Sequence, residues 1–180
     1  SGVISYSSVQ NKHKPNTGTY WNLELERGGN LGFMIFEGLS FSREIANIAS
    51  FVRFKTNHLL GARLVVGEFR PSDQNTFETE SFIIGGSNSL RGYNEANYPF
   101  FGNKKIVFNT EYRYDLSKRF EIVLFYDIGM AQDEWEFELD EFSTGKGIGL
   151  RFQTPVGPIR TDFALGRNDY MIHFGLGQMF

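Results

Sequence analysis

Along most of this chain apolar and polar residues alternate with a period of two, and no stretch sustains a helical period. The clearest case runs from Ile106 to Leu116. Ile106, Phe108, Thr110, Tyr112, Tyr114 and Leu116 share one face, and Asn109, Glu111, Arg113 and Asp115 share the other. The same split recurs over 122–130, 147–154, 159–166 and 172–180, and less cleanly over 21–26, 46–55 and 62–67. With Ile4 to Asn11 as a weaker opening strand, the pattern predicts about nine strands in an all-β, antiparallel architecture.

Turn residues between these segments predict connections of alternating length. Short ones fall at 14–18, 55–58, 117–119 and 155–158, and long ones at about 28–44, 70–104 and 131–144, with 167–169 a brief exception. Short turns at one end and long loops at the other are the habit of outer-membrane barrels. A soluble up-and-down barrel has no reason to gather its long loops on one side.

One face carries Glu111, Arg113, Asp127, Arg151, Gln153, Arg160 and Asp162, and the other carries Ile, Leu, Phe, Tyr and Thr. A soluble barrel would turn the charges outward, whereas a membrane barrel lines its lumen with them. Alternation alone leaves both readings open. Glycine favours the second, because Gly61, Gly67, Gly129, Gly147, Gly149, Gly175 and Gly177 all fall on the charged face. Solvent-facing strand positions seldom favour Gly, whereas a lumen into which a loop folds has a use for the space.

Composition narrows the classes. The 180 residues include 19 Phe, 8 Tyr and 20 Gly, a bias toward strands rather than helices. With 18 Lys and Arg against 21 Asp and Glu, there is no basic surplus for nucleic acid. The absence of Cys excludes disulfides, thiolate metal sites and a Cys nucleophile. No apolar run is long enough for a transmembrane helix, and Ser1 to Ser5 do not read as a signal peptide.

Candidate chemistry is sparse. Glu111 and Asp127 could form an acid–base pair, but no positioned nucleophile accompanies them, so the expectation is a non-enzyme. His13, His58 and His173 lack metal-ligand spacing, and neither a metal nor a cofactor is expected. Gly28-Gly29-Asn30 and Gly85-Gly86 lack the spacing of phosphate-binding loops. Asp133 to Glu141 alternates acid with apolar residues and reads either as a solvated acidic loop or as an extracellular strand extension. Trp21, Trp135 and the tyrosines suit interfacial girdles or ordinary packing.

Five motifs add a resemblance. Gly85-Gly86-Ser87-Asn88-Ser89-Leu90-Arg91-Gly92-Tyr93 resembles the loop signature of the outer-membrane assembly-factor superfamily that includes BamA, TamA and the two-partner-secretion transporters. Asn109-Thr110-Glu111-Tyr112-Arg113, Phe125 to Gly129, the hairpin from Gly147 to Arg160, and Phe174 to Phe180 are similar to later strands of that family, in the same order. Residues 1–81 add only compatible strands.

The resemblance implies that residues 1–180 are a single transmembrane β-barrel region, the C-terminal strands of a sixteen-stranded barrel in the bacterial outer membrane. It implies that the 70–104 loop folds back into the lumen, with Leu90, Arg91, Gly92 and Tyr93 at its tip and Arg91 paired to Glu111 and Asp127. The expected function is assembly or insertion of β-barrel proteins, or protein translocation, with substrate strands templated at a weak seam. Gly175, Gly177 and Phe180 lie on that seam strand, 171–180. Alternatives are a two-partner-secretion pore, the membrane anchor of a patatin-like lipase, and a passive porin-like channel or soluble ligand-binding barrel. Expected partners are outer-membrane lipid and lipopolysaccharide, nascent β-barrel or secreted proteins and periplasmic accessory proteins, with no nucleic acid. Nine strands are odd in number and fewer than sixteen, so a fragment is expected, one that associates with other copies or borrows strands from a partner.

Overall fold

The computed structural model describes residues 1–9, 17–28, 40–71, 81–94, 100–136, 138, 140–167 and 170–180. His13, the 14–16 part of the first turn, Gln10, Asn11, Gly29, Asn30, Phe137, Leu139 and 168–169 lie outside the described residues.

Nine strands form one antiparallel meander, and no helix occurs among the described residues. In order across the sheet they are β1 (Gly2–Ser7), β2 (Gly18–Gly28), β3 (Phe41–Lys55), β4 (His58–Pro71), β7 (Lys104–Asp115), β8 (Phe120–Gln132), β9 (Ser143–Thr154), β10 (Gly157–Leu165) and β11 (Tyr170–Leu176). The remaining two, β5 (Phe82–Ile83) and β6 (Phe101–Gly102), pair with each other inside the long excursion between β4 and β7. Tight turns join β3 to β4, β7 to β8 and β9 to β10 at one end, where β1 also passes to β2; from the other end leave the long connections β2–β3, β4–β7 and β8–β9 and the short one β10–β11.

The polarity of this sheet is inverted relative to a water-soluble one. In β7 the buried positions are Val107, Asn109, Glu111 and Arg113, while Phe108 between them is exposed. In β8 Glu121, Val123, Phe125 and Asp127 are buried and Leu124 and Tyr126 are exposed. In β10 Arg160, Asp162 and Ala164 face inward, and Ile159, Phe163 and Leu165 face out. The exposed apolar face continues over Ile48, Val52, Leu60, Ile148, Leu150, Ile172 and Phe174. A patch that extensive is costly in water and well matched to hydrocarbon. Toward the short turns the outer face becomes aromatic, with His58 against Phe54, Tyr112 and Tyr114, and Phe120 against Phe152. This is the composition of an interfacial girdle.

Other segments of the chain cover the inward face of β3, β4 and β7. Ile84 and Leu90 of the long loop pack on Val65 and Val107, while Met179 and Phe180 pack on Ala49, Phe51 and Leu59. The inward glycines make room for this filling. A Cβ at Gly61 would meet Phe51 and Phe180, and one at Gly67 would meet Phe82.

Several boundaries differ from the sequence pattern: the opening strand, expected over Ile4 to Asn11, is Gly2–Ser7, and β3 begins at Phe41, inside the loop expected over 28–44. The β5–β6 pair is too short to show a period. The connection between β8 and β9 is shorter than expected, because β8 runs to Gln132 and β9 begins at Ser143. The expected last strand, 171–180, stops at Leu176. Gly177 adopts φ 84, a left-handed conformation that breaks the alternation. Its N–H donates to the Pro158 carbonyl at 2.7 Å, and the chain turns inward. Phe180 therefore leaves the apolar outer face that alternation assigned to it and stacks on Phe51, with ring centroids 5.8 Å apart.

A charge on the outer face should be poorly tolerated. Ile148 is 51% exposed in the middle of β9, and Ile148→Arg is expected to lower stability by about 2–4 kcal/mol in a bilayer. Denaturant unfolding of the full-length protein in lipid vesicles measures this, and an unchanged midpoint would contradict a lipid-facing assignment.

Candidate functional site

The site is the tip of the loop between β4 and β7, pressed against the charged wall. Hydrogen bonds within the tip hold its own shape, in addition to its contacts with the wall. The Gly85 N–H donates to Ser89 Oγ at 2.7 Å, Ser89 Oγ donates back to the Gly85 carbonyl, and the Gly86 N–H donates to the Tyr93 carbonyl at 2.8 Å. Gly85 and Gly86 have φ 142 and 75, and Gly92 has φ 94. These left-handed values fit glycine and strain most other residues.

Arg91 is fully buried at the centre of the site. Its Nε and Nη2 donate to the two Asp127 carboxylate oxygens at 2.7 and 2.8 Å, and its backbone N–H also donates to Oδ2, at 3.1 Å. Its Nη1 donates to Glu111 Oε1 at 2.6 Å. The guanidinium lies over the Phe125 ring, 3.6 Å from its centroid. This is the fork geometry that distinguishes arginine from lysine, combined with a cation–π contact. Burial alone would loosen the Arg91 proton. The hydrogen bonds to Asp127 and the charge of Glu111 outweigh it and raise the pKa above that of a free guanidinium.

The network extends beyond this triad. Arg91 Nη1 lies 3.8 Å from Asp162, whose other oxygen accepts from Arg151 at 2.6 Å. Arg113 pairs with Glu111 at 2.7 Å and donates to the Phe180 carbonyl at 3.1 Å. Among the described residues, the buried arginines 91, 113, 151 and 160 face the buried carboxylates 111, 121, 127 and 162. Six ion pairs link Arg91, Arg113 and Arg151 to Glu111, Asp127 and Asp162, the condition under which buried ions are tolerated. Asn109 holds the geometry from the side, donating to the Ser89 carbonyl at 2.7 Å and to Asp127 Oδ1 at 2.9 Å.

Each predicted residue has a defined place. Leu90 is buried in the cluster with Ile84, Val65 and Val107. A Cβ on Gly92 would lie 2.7 Å from the Gly166 nitrogen. Tyr93 Oη donates to the Thr144 carbonyl and accepts from the Arg167 N–H, both at 3.1 Å, while its ring packs edge-on against Phe100. Gly175 lies beneath Arg160, whose side chain occupies the space a Cβ would need, and nothing lies within 4 Å of the Cβ position at Gly177. Phe180 stands apart from β11, on the lumenal cluster at the short-turn end. Sequence reasoning singled out Gly147 and Gly149 as lumenal but missed the role of Gly145, where a Cβ would run into the Arg91 carbonyl oxygen. Asp162, Arg151, Asn109 and His173 also join the site, although the residue pattern offered no signal beyond their inward parity. Among the described residues no group of His, Asp or Glu could hold a metal ion.

Gly145→Ala is therefore expected to lift the loop tip from the wall. Trypsin cleavage after Arg91 in the folded full-length protein should become faster, and an unchanged rate would contradict the close approach.

Comparisons with known proteins identify the family and the fold. The Omp85 superfamily domain matches residues 1–180. Outer envelope protein 80 of Arabidopsis thaliana chloroplasts is 32% identical over 123 residues, 63% of this chain and 16% of its own length. Outer envelope protein 39 of the same plant is 28% identical over 171 residues, covering 88% of this chain and 44% of its own length. The outer membrane protein assembly factor BamA of Nitratidesulfovibrio vulgaris is 26% identical over 198 residues, covering 96% of this chain and 24% of that protein. The crystal structure of BamA from Haemophilus ducreyi lacking POTRA domains 1–3 superposes with a TM-score of 0.69 at 14% identity, over 97% of this chain and 40% of that one. The chain thus spans less than half the length of these relatives. It belongs to the Omp85 superfamily, and its nine antiparallel strands are a stretch of an outer-membrane β-barrel wall.

Proposed function

We propose that this chain is the C-terminal barrel region of a bacterial outer-membrane factor that inserts β-barrel proteins into the bilayer or passes proteins across it. The role is non-enzymatic: the barrel supplies a lipid-matched wall, a lumenal loop and a strand edge, and substrate proteins supply the complementary strand. The observation that carries this reading is the Arg91 clasp, because a surface loop buried by four charge-assisted contacts to Glu111 and Asp127 is not needed merely to line a pore. Family membership supports the same class.

The working edge in this reading is β11. Among the described residues it pairs only with β10, from Ile159↔Leu176 to Leu165↔Tyr170. Unpaired strand N–H and C=O groups form a template for an incoming strand, and in hydrocarbon they are costly to leave unsatisfied. Nascent β-barrel proteins are thus the proposed substrates. Outer-membrane lipid and lipopolysaccharide would contact the apolar face, and periplasmic accessory proteins the short-turn end.

Arg91→Ala in the full-length protein tests this. Removing one partner of a buried ion pair costs about 3–5 kcal/mol, well beyond the roughly 1.4 kcal/mol behind a tenfold change. Insertion of a β-barrel substrate into liposomes should fall by about tenfold or more, with strand content unchanged by circular dichroism. Arg91→Lys should fall between, since it keeps the charge and loses the fork. Wild-type insertion by Arg91→Ala would overturn the assignment of the loop.

A further inference from the structure

The clasp on β7 and β8 accounts for Arg91, but the same loop tip also touches the strands next to the edge. The Gly92 N–H donates to His173 Nε2 of β11 at 3.2 Å, and both residues are buried. Tyr93 holds the Thr144 carbonyl of β9 and the Arg167 N–H just before β11. The backbone of the tip lies so close to the wall that the Arg91 carbonyl oxygen fills the Cβ position of Gly145, and the Gly92 carbonyl oxygen fills that of Gly166. His173 stands opposite Asp162 in the β10–β11 ladder, and Asp162 is itself near Arg91.

We infer that His173 is a positioning residue that latches the edge strand to the loop tip, so that freeing β11 and releasing the loop are one coupled event. The inference rests on the proposed role of β11 as the working edge. An edge strand has a ladder on one side only, and each additional tie therefore matters more to it than to an interior strand. His173 accepts from Gly92, so its Nε2 presents a lone pair and its ring proton sits on Nδ1. If β11 swings outward, Gly92 loses its acceptor. If the loop withdraws, β11 loses its inward tie and Tyr93 loses Thr144 and Arg167. Coupling of this kind is reciprocal: whatever loosens one element loosens the other by the same factor. An incoming strand that displaces β11 thereby unlocks the lumen, and an immobilised loop resists displacement.

Hydrogen exchange on the full-length protein in lipid nanodiscs tests the latch, with His173→Leu and His173→Gln compared. Gln offers Oε1 near the position of Nε2, whereas Leu offers no acceptor. Loss of one such bond should speed exchange by roughly three- to tenfold in both 84–93 and 170–176. His173→Gln should restore near wild-type rates in both segments, which a merely structural filling role would not do. Faster exchange in one segment alone, or equal behaviour of the two variants, would overturn the latch. If His173→Leu does not fold, Tyr93→Phe cuts the parallel tie and should speed the same two segments together; an unchanged 170–176 would overturn the proposal. Substrate insertion by the wild-type protein is measured separately. Its absence would refute the proposed function, whereas normal insertion with uncoupled exchange would refute only the latch.

Discussion

The placement of ionised side chains on the enclosed face of the wall is the constraint from which the rest of the structure follows. A strand with hydrocarbon on one side can hide its charges only on the other, where there is too little room and water for them to remain separately solvated. They must neutralise one another. Arg91, Arg113 and Arg151 do so here with Glu111, Asp127 and Asp162, and the pairing selects geometry as well as sign. Arginine supplies planar forks that bridge two carboxylates at once, so one residue from a loop can tie β7 to β8 and lie near Asp162 of β10 as well.

Glycine is the structural counterpart of this arrangement. Where two long side chains lie on adjacent strands, one position must be empty, and Gly149 beneath Asp162 and Arg151 and Gly175 beneath Arg160 serve that need. Gly145 and Gly166 admit backbone rather than side chain, and the Arg91 and Gly92 carbonyl oxygens occupy the space their side chains would need. The β11 glycine therefore does more than weaken a strand; it makes the inward arginine possible.

Much of this was legible in the residue pattern, and the failures have physical causes. A period of two with charges on one parity revealed the long strands, because each spans enough residues for alternation to repeat. The parity of Glu111 and Asp127 put both on the face that meets Arg91. The β5–β6 pair was invisible because two residues carry no period. Phe180 was misplaced because alternation runs on through Gly177 in composition, while a left-handed backbone at Gly177 rotates the chain away from the sheet. The contacts of Asp162, Asn109 and His173 with the loop are long-range, and inward polar residues look alike in a sequence until the loop tip is set among them.

The most direct measurement is of which face meets lipid. These 180 residues contain no Cys, so each probe is carried by a single cysteine introduced at a chosen strand position. Probes at Leu124 and Phe163, which are 48% and 48% exposed, should be strongly quenched by brominated lipid, and probes at Val123 and Ala164, 0% and 2% exposed, should not. A reversed pattern, or equal quenching at adjacent residues, would contradict a wall with hydrocarbon outside and paired charges within.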